Sequence, residues 1–227
     1  MKNIRHIFFD LDNTLWDHRK NAVLTLEELF QRKEISEKYN ILFHEFHAKY
    51  DEINEDLWVK IRDGIIDKDF LRKHRLHFGI DNEELAQYFE KHFLDEIINF
   101  NELIPQTIEV LEYLKEKGYQ LHVVSNGFHE VTNRKVEKSG LKKYFETVTS
   151  AEDAHAMKPD ERIFEYSLNL ANAEKSESIF IGDDWVADVK GAQNFGLDII
   201  FFDALKENKT EEGLKTIQNL EEIKNFL

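Results

Sequence analysis

The sequence predicts an α/β protein whose core is a Rossmann-like, doubly wound parallel sheet and which carries an inserted all-helical domain. The first observation is a set of short apolar segments, typical of strands that are buried on both faces. The second is that helical patterns alternate with the later of these segments, as in βαβ units. The third is a stretch of 86 residues, 15–100, without a convincing strand.

The predicted strands are short and rich in Ile, Val and Phe. Four segments have this character, at 4–9, 120–125, 178–181 and 198–202, and 147–149 is a weaker fifth. Pro105 stands near the start of a predicted helix and Gly118 just past its end. Asp160 is placed to cap a second helix, and Gly196 to end a third before the last strand. These alternating elements predict a parallel sheet with helices on both faces.

Residues 15–100 are predicted to form the inserted helical domain, and residues 1–14 and 101–227 the α/β core. Apolar side chains recur in the insertion at the spacing of a helix face. They are Ala22, Leu26, Leu29 and Phe30 in one helix, and Leu85, Phe89, Phe93 and Ile97 in another. Asp81 is placed to cap the second of these helices. The polar segment 206–216 is predicted to be a surface loop.

The composition excludes several classes of protein. There are 45 acidic and 30 basic side chains, and the resulting net charge of −15 disfavours binding to a nucleic-acid polymer or an anionic membrane. With no cysteine, the chain has no disulfide and no thiolate-bound metal. No apolar run approaches the roughly 18 residues of a membrane helix, and the apolar start is too short for a secretory signal. We therefore expect a cytoplasmic protein.

Asp10 and Asp12 directly follow the first predicted strand. Side chains two positions apart point to the same side of an extended chain. Both carboxylates are therefore expected at the carboxyl end of that strand, where open α/β sheets bind ligands. A divalent cation would relieve their mutual repulsion. The alternative is that residues 12–14 simply form a turn.

Polar side chains also follow later strands or precede helices. Ser125 ends its strand ahead of the flexible Gly127, so it is suited either to bind phosphate oxygens or to cap the next helix. Lys158, before a proline, is placed either to reach a phosphate or to face solvent. The carboxylates that follow the strand at 178–181 are Asp183, Asp184 and Asp188. Helix capping accounts for one of these three but hardly for all.

A parallel sheet brings these strand ends to one edge, and together they resemble the motifs of the haloacid dehalogenase superfamily of phosphohydrolases. Those motifs are Asp-x-Asp-x-Thr, a Ser or Thr, a Lys, and Gly-Asp-x-x-x-x-Asp. The matching residues are Asp10, Asp12, Thr14, Ser125, Lys158, Gly182, Asp183 and Asp188. Their order and spacing match, and the resemblance covers essentially the whole chain. It implies that residues 15–100 are that superfamily's helical cap, subclass I.

The resemblance also implies a mechanism. Asp10 would be the nucleophile that forms an aspartyl-phosphate. Asp12 would be the general acid and then the general base, a role that needs the higher pKa of the two carboxyls. Mg²⁺ would be held by the Asp10 carboxylate, the Asp12 backbone carbonyl and Asp183.

The remaining motif residues would support that chemistry. Phosphoryl oxygens would be bound by Ser125, the Asn126 amide and Lys158. Asp188 would orient a metal-bound water or Lys158 without binding the metal itself, and Asp184 is the alternative for this task. The expected partner is accordingly a small phosphorylated molecule, with the oligomeric state left open.

A narrower resemblance, to the YjjG/YfnB branch of that superfamily, implies pyrimidine 5′-nucleotidase activity on nucleoside monophosphates. It rests on Trp16, on Asn-Glu-Asp-Leu-Trp at 54–58, on Gly-Ile-Ile at 64–66 and on Ser-Asn-Gly-Phe at 125–128. Trp16, Trp58 and Phe128 are candidates to stack against a nucleobase. The alternative is that these aromatic side chains belong to hydrophobic cores.

Other functions are open on the same residues. A phosphatase for phosphoglycolate, a sugar phosphate or pyrophosphate would use the same motifs, because these touch only the phosphate. A phospho-accepting regulatory domain without turnover, or a carbon–halogen hydrolase, would have no need of an acid at Asp12. Histidine pairs at 44/47 and 74/77 have a spacing that suits zinc. With 10 histidines in the chain, chance pairs on a solvated face are the simpler explanation.

Overall fold

The computed structural model describes residues 3–75 and 82–227. The chain divides into two compact units: unit 1 comprises Met1–His18 and Asn101–Leu227, and unit 2 comprises Arg19–Phe100. The boundaries of the core and the inserted domain at residues 14 and 100 stay a prediction. His77 and Asp81, named above in a histidine pair and as a helix cap, lie outside the described residues.

Unit 1 is built on a parallel sheet. Its strands are β1 His6–Phe9, β2 Gln120–Ser125, β3 Phe145–Ser150, β4 Ser178–Gly182, β5 Asp198–Phe202 and β6 Lys215–Ile217. Within the described residues they form one six-stranded sheet in the order β3-β2-β1-β4-β5-β6, with every pairing parallel. The strand order reverses between β1 and β4, and open α/β sheets bind ligands outside the carboxyl ends at such a point.

The helices confirm the predicted alternation. The α-helices are α1 His18–Arg32, α2 Ile35–Tyr39, α3 Phe43–Arg62, α4 Lys68–His74, α5 Glu83–Glu96, α6 Thr107–Glu116, α7 His129–Lys138, α8 Ala151–Ala154, α9 Glu161–Ala171 and α10 Gly191–Phe195. A π-helix, Trp185–Lys190, leads directly into α10. The Asp160 side chain caps α9 by accepting a hydrogen bond from the Arg162 amide, and Gly196 ends α10 with φ +86°. Both were predicted from residue type and position.

Both faces of the central strands are covered, as their apolar composition predicts. Ile7, Phe8 and Phe9 are each at most 1% exposed. On one face Phe8 packs with neighbouring strands and with helices α9 and α10. The cluster includes Val124, Phe180 and Phe201 of the sheet with Ile163, Phe164, Leu168, Ala192 and Phe195 of the helices. This packing fixes the strand ends from which the polar loops begin.

Unit 2 contains helices and no strand within its described residues, as predicted. The apolar positions assigned to its helix faces are all buried: Ala22, Leu26, Leu29, Phe30, Leu85, Phe89, Phe93 and Ile97. Asn82 caps α5 by accepting a hydrogen bond from the Leu85 amide. His47 pairs with Asp51 at 3.1 Å, and the described part of unit 2 holds no cluster of three potential metal ligands.

The structure differs from the prediction at one edge of the sheet. Residues 215–217 form β6, so the predicted loop at 206–216 is wrong at its last two positions. This strand is short and largely polar, so it lacks the apolar run that identifies the others. It is nevertheless paired in register with β5, and Ile217 is 1% exposed.

None of the helices in the described ranges combines the length and the hydropathy that crossing a bilayer requires.

Candidate active site

The loop after β1 folds back on itself directly beyond Phe9. The Asp10 amide donates to the Ile181 carbonyl at 2.9 Å, which continues the β1–β4 pairing by one residue. The Leu11 carbonyl accepts hydrogen bonds from the amides of Leu15 and Trp16, at 3.0 and 2.9 Å. The loop is thereby closed, and it places the Asp10 and Asp12 side chains at the carboxyl edge of the sheet.

Lys158 lies between two carboxylates. Its Nζ is 2.6 Å from Asp10 Oδ1 and 2.7 Å from Asp188 Oδ1. The lysine and Asp188 are each 1% exposed and Asp10 is 7% exposed. Burial disfavours the charged form of Lys158, but the two carboxylates outweigh that effect and raise its pKa. The ammonium is therefore held charged where two anionic groups converge.

Asp183 joins Asp10 and Asp188 in an acidic cluster. One carboxylate oxygen from each residue lies within 4.8 Å of the other two. Thr14 Oγ1 donates to Asp183 Oδ1 at 3.2 Å, which ties this carboxylate to the loop after β1. Oxygen donors from carboxylates are the ligands that Mg²⁺ prefers, so the donor set fits that ion. Asp10 and Asp183 are thus neighbours in the fold, although they are far apart in the sequence.

The structure separates the two acids that the sequence left as alternatives. The Asp184 side chain accepts hydrogen bonds from the amides of Val186 and Ala187, at 2.8 and 2.7 Å, and so caps the π-helix. Asp188 instead faces inward, pairs with Lys158 and accepts a hydrogen bond from the Asp184 amide at 3.0 Å. A Cβ at Gly182 would overlap the Asp188 carboxylate, so this approach requires glycine.

Asp12 has a different partner, which was not predicted from the sequence. Lys135 Nζ lies 2.6 Å from Asp12 Oδ1, and the His18 ring nitrogen is 4.0 Å from the same oxygen. The Lys135 ammonium also lies 4.3 Å from the centroid of the Trp16 ring, within the range of a cation–π contact. Asp12 remains partly open, with 27% of its side chain exposed.

The environments of the two loop carboxylates shift their pKa values in opposite directions. Burial raises the pKa of Asp10; Lys158 opposes this effect, and Asp188 adds to it. Burial would also raise the pKa of Asp12, but Lys135 and His18 together hold it below its ordinary value. The side chains of the protein therefore give Asp10 the higher pKa, the reverse of the expected order.

The loop after β2 also lies at the carboxyl edge of the sheet. Ser125 Oγ accepts a hydrogen bond from the Gly127 amide at 3.0 Å, so the turn is closed by its own hydroxyl. The Asn126 side chain accepts from the Lys158 amide at 2.7 Å and donates to the Lys158 carbonyl at 3.0 Å. These two bonds attach the segment that carries Lys158 to the end of β2.

The three aromatic candidates occupy different environments. Trp16 is 0% exposed, and its Nε1 finds no hydrogen-bond partner among the described residues. Phe128 is 5% exposed, at the start of α7. Trp58 lies in α3 of unit 2 and is half-buried. Complete burial of Trp16 favours the core interpretation for that ring, and base stacking by Trp58 and Phe128 stays a prediction.

Lys135 is the site residue that sequence reasoning missed, although the sequence holds a signal for it. It lies on α7 with Thr132 and Val136, and all three side chains are buried. Spacings of three and four residues place them on one helix face. A lysine on an otherwise buried face, one helix after Ser125, indicates a cation directed into the protein and in need of a carboxylate.

Comparison with known proteins places this arrangement in a family. The chain is 27% identical over 237 residues to the putative hydrolase YfnB of Bacillus subtilis, covering 100% of this chain and 97% of that protein. It is 26% identical over 228 residues to the pyrimidine 5′-nucleotidase YjjG of Escherichia coli, covering 97% and 96%. It is 27% identical over 217 residues to a ribulose-1,5-bisphosphate 5-phosphatase of Halopiger xanaduensis, covering 91% and 88%.

A solved structure and a family model agree with these similarities. The crystal structure of YfnB bound to magnesium superimposes with a TM-score of 0.88 at 25% identity, covering 100% of this chain and 99% of that one. Residues 4–196 match the family model of the haloacid dehalogenase-like hydrolases. That range includes both carboxylates of the first loop, Ser125, Lys158 and the acidic cluster after β4. The chain belongs to the haloacid dehalogenase-like hydrolase family.

Proposed function

We propose that this protein is a magnesium-dependent phosphomonoester hydrolase that works through an aspartyl-phosphate on Asp10. The observation that carries the proposal is the pair Asp10 and Asp12 at the end of β1, each with its own lysine. One carboxylate is buried beside a second acid and a fixed ammonium, which suits a nucleophile and its phosphoryl group. The other is partly open, which suits a group that exchanges protons.

In the first half-reaction an Asp10 oxygen attacks phosphorus. The bond from phosphorus to the Asp10 oxygen forms as the bond from phosphorus to the ester oxygen breaks. A proton held on Asp12, whose pKa the negative charge of the bound phosphate ester raises, passes to the departing ester oxygen, which leaves as an alcohol. Lys158, Ser125 and the Asn126 amide bind the phosphoryl oxygens and offset their charge.

In the second half-reaction water attacks the phosphorus of the aspartyl-phosphate. The Asp12 carboxylate takes a proton from this water, the bond to the Asp10 oxygen breaks, and inorganic phosphate leaves. Asp10 is regenerated as a carboxylate and Asp12 as an acid, so the cycle closes. Asp188 keeps Lys158 directed at Asp10 throughout.

The residues that would hold Mg²⁺ are Asp10, Asp183 and the backbone carbonyl of Asp12. When bound there, the ion neutralises charge on the nucleophile and on the phosphoryl group. Asp188 is less suited to bind it, because its Oδ1 already faces Lys158 and its Oδ2 accepts from the Asp184 amide. We therefore keep Asp188 as a group that orients Lys158, with Asp184 serving as a helix cap.

Nucleoside 5′-monophosphates, pyrimidine ones in particular, are the substrates that we propose. The similarity to YjjG over nearly the whole chain supports this substrate class. We assign the choice of substrate to the insertion 15–100 and to the loop after Ser125, because the motif residues recognise only the phosphate. The similarity to a sugar-bisphosphate phosphatase favours a second candidate, another small phosphate ester.

Phosphate release from a panel of phosphomonoesters tests the proposal, with Mg²⁺ and with a chelator. We expect magnesium-dependent release that is fastest on pyrimidine monophosphates. Asp10→Asn should lower it by about a thousandfold or more, because the nucleophile is lost. Asp160→Asn is the matched control, since Asp160 is a partly exposed cap of α9 that an asparagine replaces well.

Each result separates the alternatives. Release that is faster on phosphoglycolate or sugar phosphates would keep the mechanism and replace the nucleotide. A long-lived phosphoryl group on Asp10 with no release from any ester would contradict the enzyme and indicate a phospho-accepting regulatory domain.

A further inference from the structure

Lys135 is a buried cation that reaches Asp12 from another element of the fold. Only 5% of its side chain is exposed, and its Nζ lies 2.6 Å from Asp12 Oδ1. The buried face of α7 directs the lysine inward together with Thr132 and Val136. A buried ammonium without a carboxylate would carry a large desolvation cost, so this contact accounts for the lysine's position.

The loop that carries Asp12 also locates the Lys135 ammonium. The Trp16 ring lies under it at 4.3 Å, and this ring is completely buried. Trp16 is tied back to the same loop: its carbonyl accepts from the Asn13 amide at 2.7 Å and its amide donates to Leu11. The ammonium is therefore held by an ion pair and by a fixed aromatic face.

The two oxygens of the Asp12 carboxylate are consequently unlike. Oδ1 is occupied by Lys135, whereas Oδ2 lies toward Gly127 and Ser125. A Cβ built on Gly127 would be 4.0 Å from Asp12 Oδ2 and 3.1 Å from Ser125 Oγ. The second oxygen thus lies on the side where the Ser125 hydroxyl stands, which is the side assigned above to the phosphoryl group.

We propose that Lys135 is a positioning residue that fixes the rotation of the Asp12 carboxylate so that Oδ2 meets the leaving oxygen. This inference rests on the proposed function, because it assigns Asp12 a proton-transfer step. The contact is not required to neutralise a fully buried acid, since 27% of the Asp12 side chain is exposed and can be hydrated. Against the effect of burial, Lys135 also lowers the pKa of Asp12. What the contact adds to the proton-transfer step is a fixed orientation of the carboxylate, on which such a step depends closely.

Leaving groups with different needs for a proton provide the test. The kcat/KM is measured on two substrates. One is p-nitrophenyl phosphate, whose phenolate leaves without a proton, and the other is a nucleoside 5′-monophosphate, whose alkoxide needs a proton in order to leave. This ratio covers only the steps up to ester cleavage, so the later hydrolysis of the aspartyl-phosphate does not enter. We expect Lys135→Met to lower kcat/KM about tenfold or more on the nucleotide and about threefold or less on the aryl ester.

Three further variants make the test specific. Lys135→Arg retains the positive charge and should recover much of the lost selectivity between the two esters. Lys138→Met removes an exposed lysine from the same helix and should leave both values unchanged. Lys135→Gln retains a hydrogen-bond donor, and the same two kcat/KM values are measured on it if the methionine variant is too unstable to assay.

Two outcomes overturn the inference alone: an equal loss on both esters, as expected of a general structural defect, or no loss on either. If the wild-type protein releases phosphate from neither ester, the proposed function fails and Lys135 loses its assigned role with it. The wild-type measurement thus distinguishes the two failures.

Discussion

Two lysine–carboxylate pairs stand side by side at the edge of the sheet, and they differ in how water reaches them. Lys158 is enclosed with Asp10 and Asp188, and all three side chains are at most 9% exposed. Lys135 is also buried, but its partner Asp12 has 27% of its side chain exposed. The Lys158 ammonium therefore contacts two buried carboxylates, whereas the Lys135 ammonium contacts one carboxylate that solvent can also reach.

This difference shows why two carboxylates only two positions apart can have distinct roles. A buried charge without a partner is strongly destabilising. Replacing one partner of a buried ion pair therefore leaves the other charge uncompensated and lowers the stability of the fold. Where one partner of an ion pair is partly exposed, water can hydrate that partner, so the pair contributes less stability and acts mainly on geometry. We expect the two lysines to differ most in how much stability depends on them.

Replacing each lysine by methionine tests that expectation most directly. Lys158→Met should lower the free energy of unfolding by about 3 to 5 kcal/mol near neutral pH, because Asp10 and Asp188 are left buried without their cation. Lys135→Met should lower it by about 1 kcal/mol or less, because water can hydrate Asp12. Urea unfolding followed by circular dichroism measures both values. Equal losses would show that the two sites are buried alike.

Two buried histidines of the sheet, His6 and His122, contrast with the lysine–carboxylate pairs, because each histidine has the other as a hydrogen-bond partner. His122 Nε2 lies 3.1 Å from His6 Nδ1, and its ring stacks on Phe8. Burial, and then the neighbouring His6, lower the pKa of His122 from 6.5 to about 4. The nearby charges of Glu146 and Lys115 have smaller, opposed effects.

The unfolded chain therefore binds a proton at His122 at a higher pH than the folded protein does. The contribution of neutral His122 to the free energy of unfolding is complete above the pKa of 6.5 in the unfolded chain. It is lost as the pH falls toward the folded-state pKa of about 4. We expect about 2 kcal/mol of loss between about pH 7.5 and about pH 5, read from urea midpoints. His122→Gln should flatten this dependence, while His44→Gln, at an exposed position, should preserve it. The same slope in all three proteins would contradict the assignment.

The smallest expected effect distinguishes the two acids after β4. Asp184→Ala should lower the free energy of unfolding by about 1 kcal/mol through loss of the cap, and Asp184→Asn by much less. Neither change should remove phosphatase activity. Asp188→Asn should reduce kcat strongly, since Lys158 loses one of its two partners. Thermal melting and phosphate release measure the two properties separately. A larger loss of activity at Asp184 than at Asp188 would reverse the assignment.

Much of the fold followed from local patterns. Strands β1, β2, β4 and β5 were predicted within two residues of their observed ends, because buried strands are continuous apolar runs. Asp160 and Gly196 marked helix ends because capping and positive φ depend on residue type. Strand β6 was missed because its three residues carry little apolar character, and its pairing with β5 identifies it only in three dimensions.

Local sequence patterns were enough to predict that Asp10, Ser125 and Asp183 stand at the carboxyl ends of strands, since each position depends on its own segment. Lys158 lies beyond α8 rather than at a strand end, and the resemblance to the superfamily motifs was needed to predict it at the same edge. The partners at that edge became visible only in three dimensions: Lys135 for Asp12 across 123 positions, and Asp188 rather than Asp184 for Lys158. These ion pairs depend on how a helix packs against the sheet, and non-local contacts set that packing.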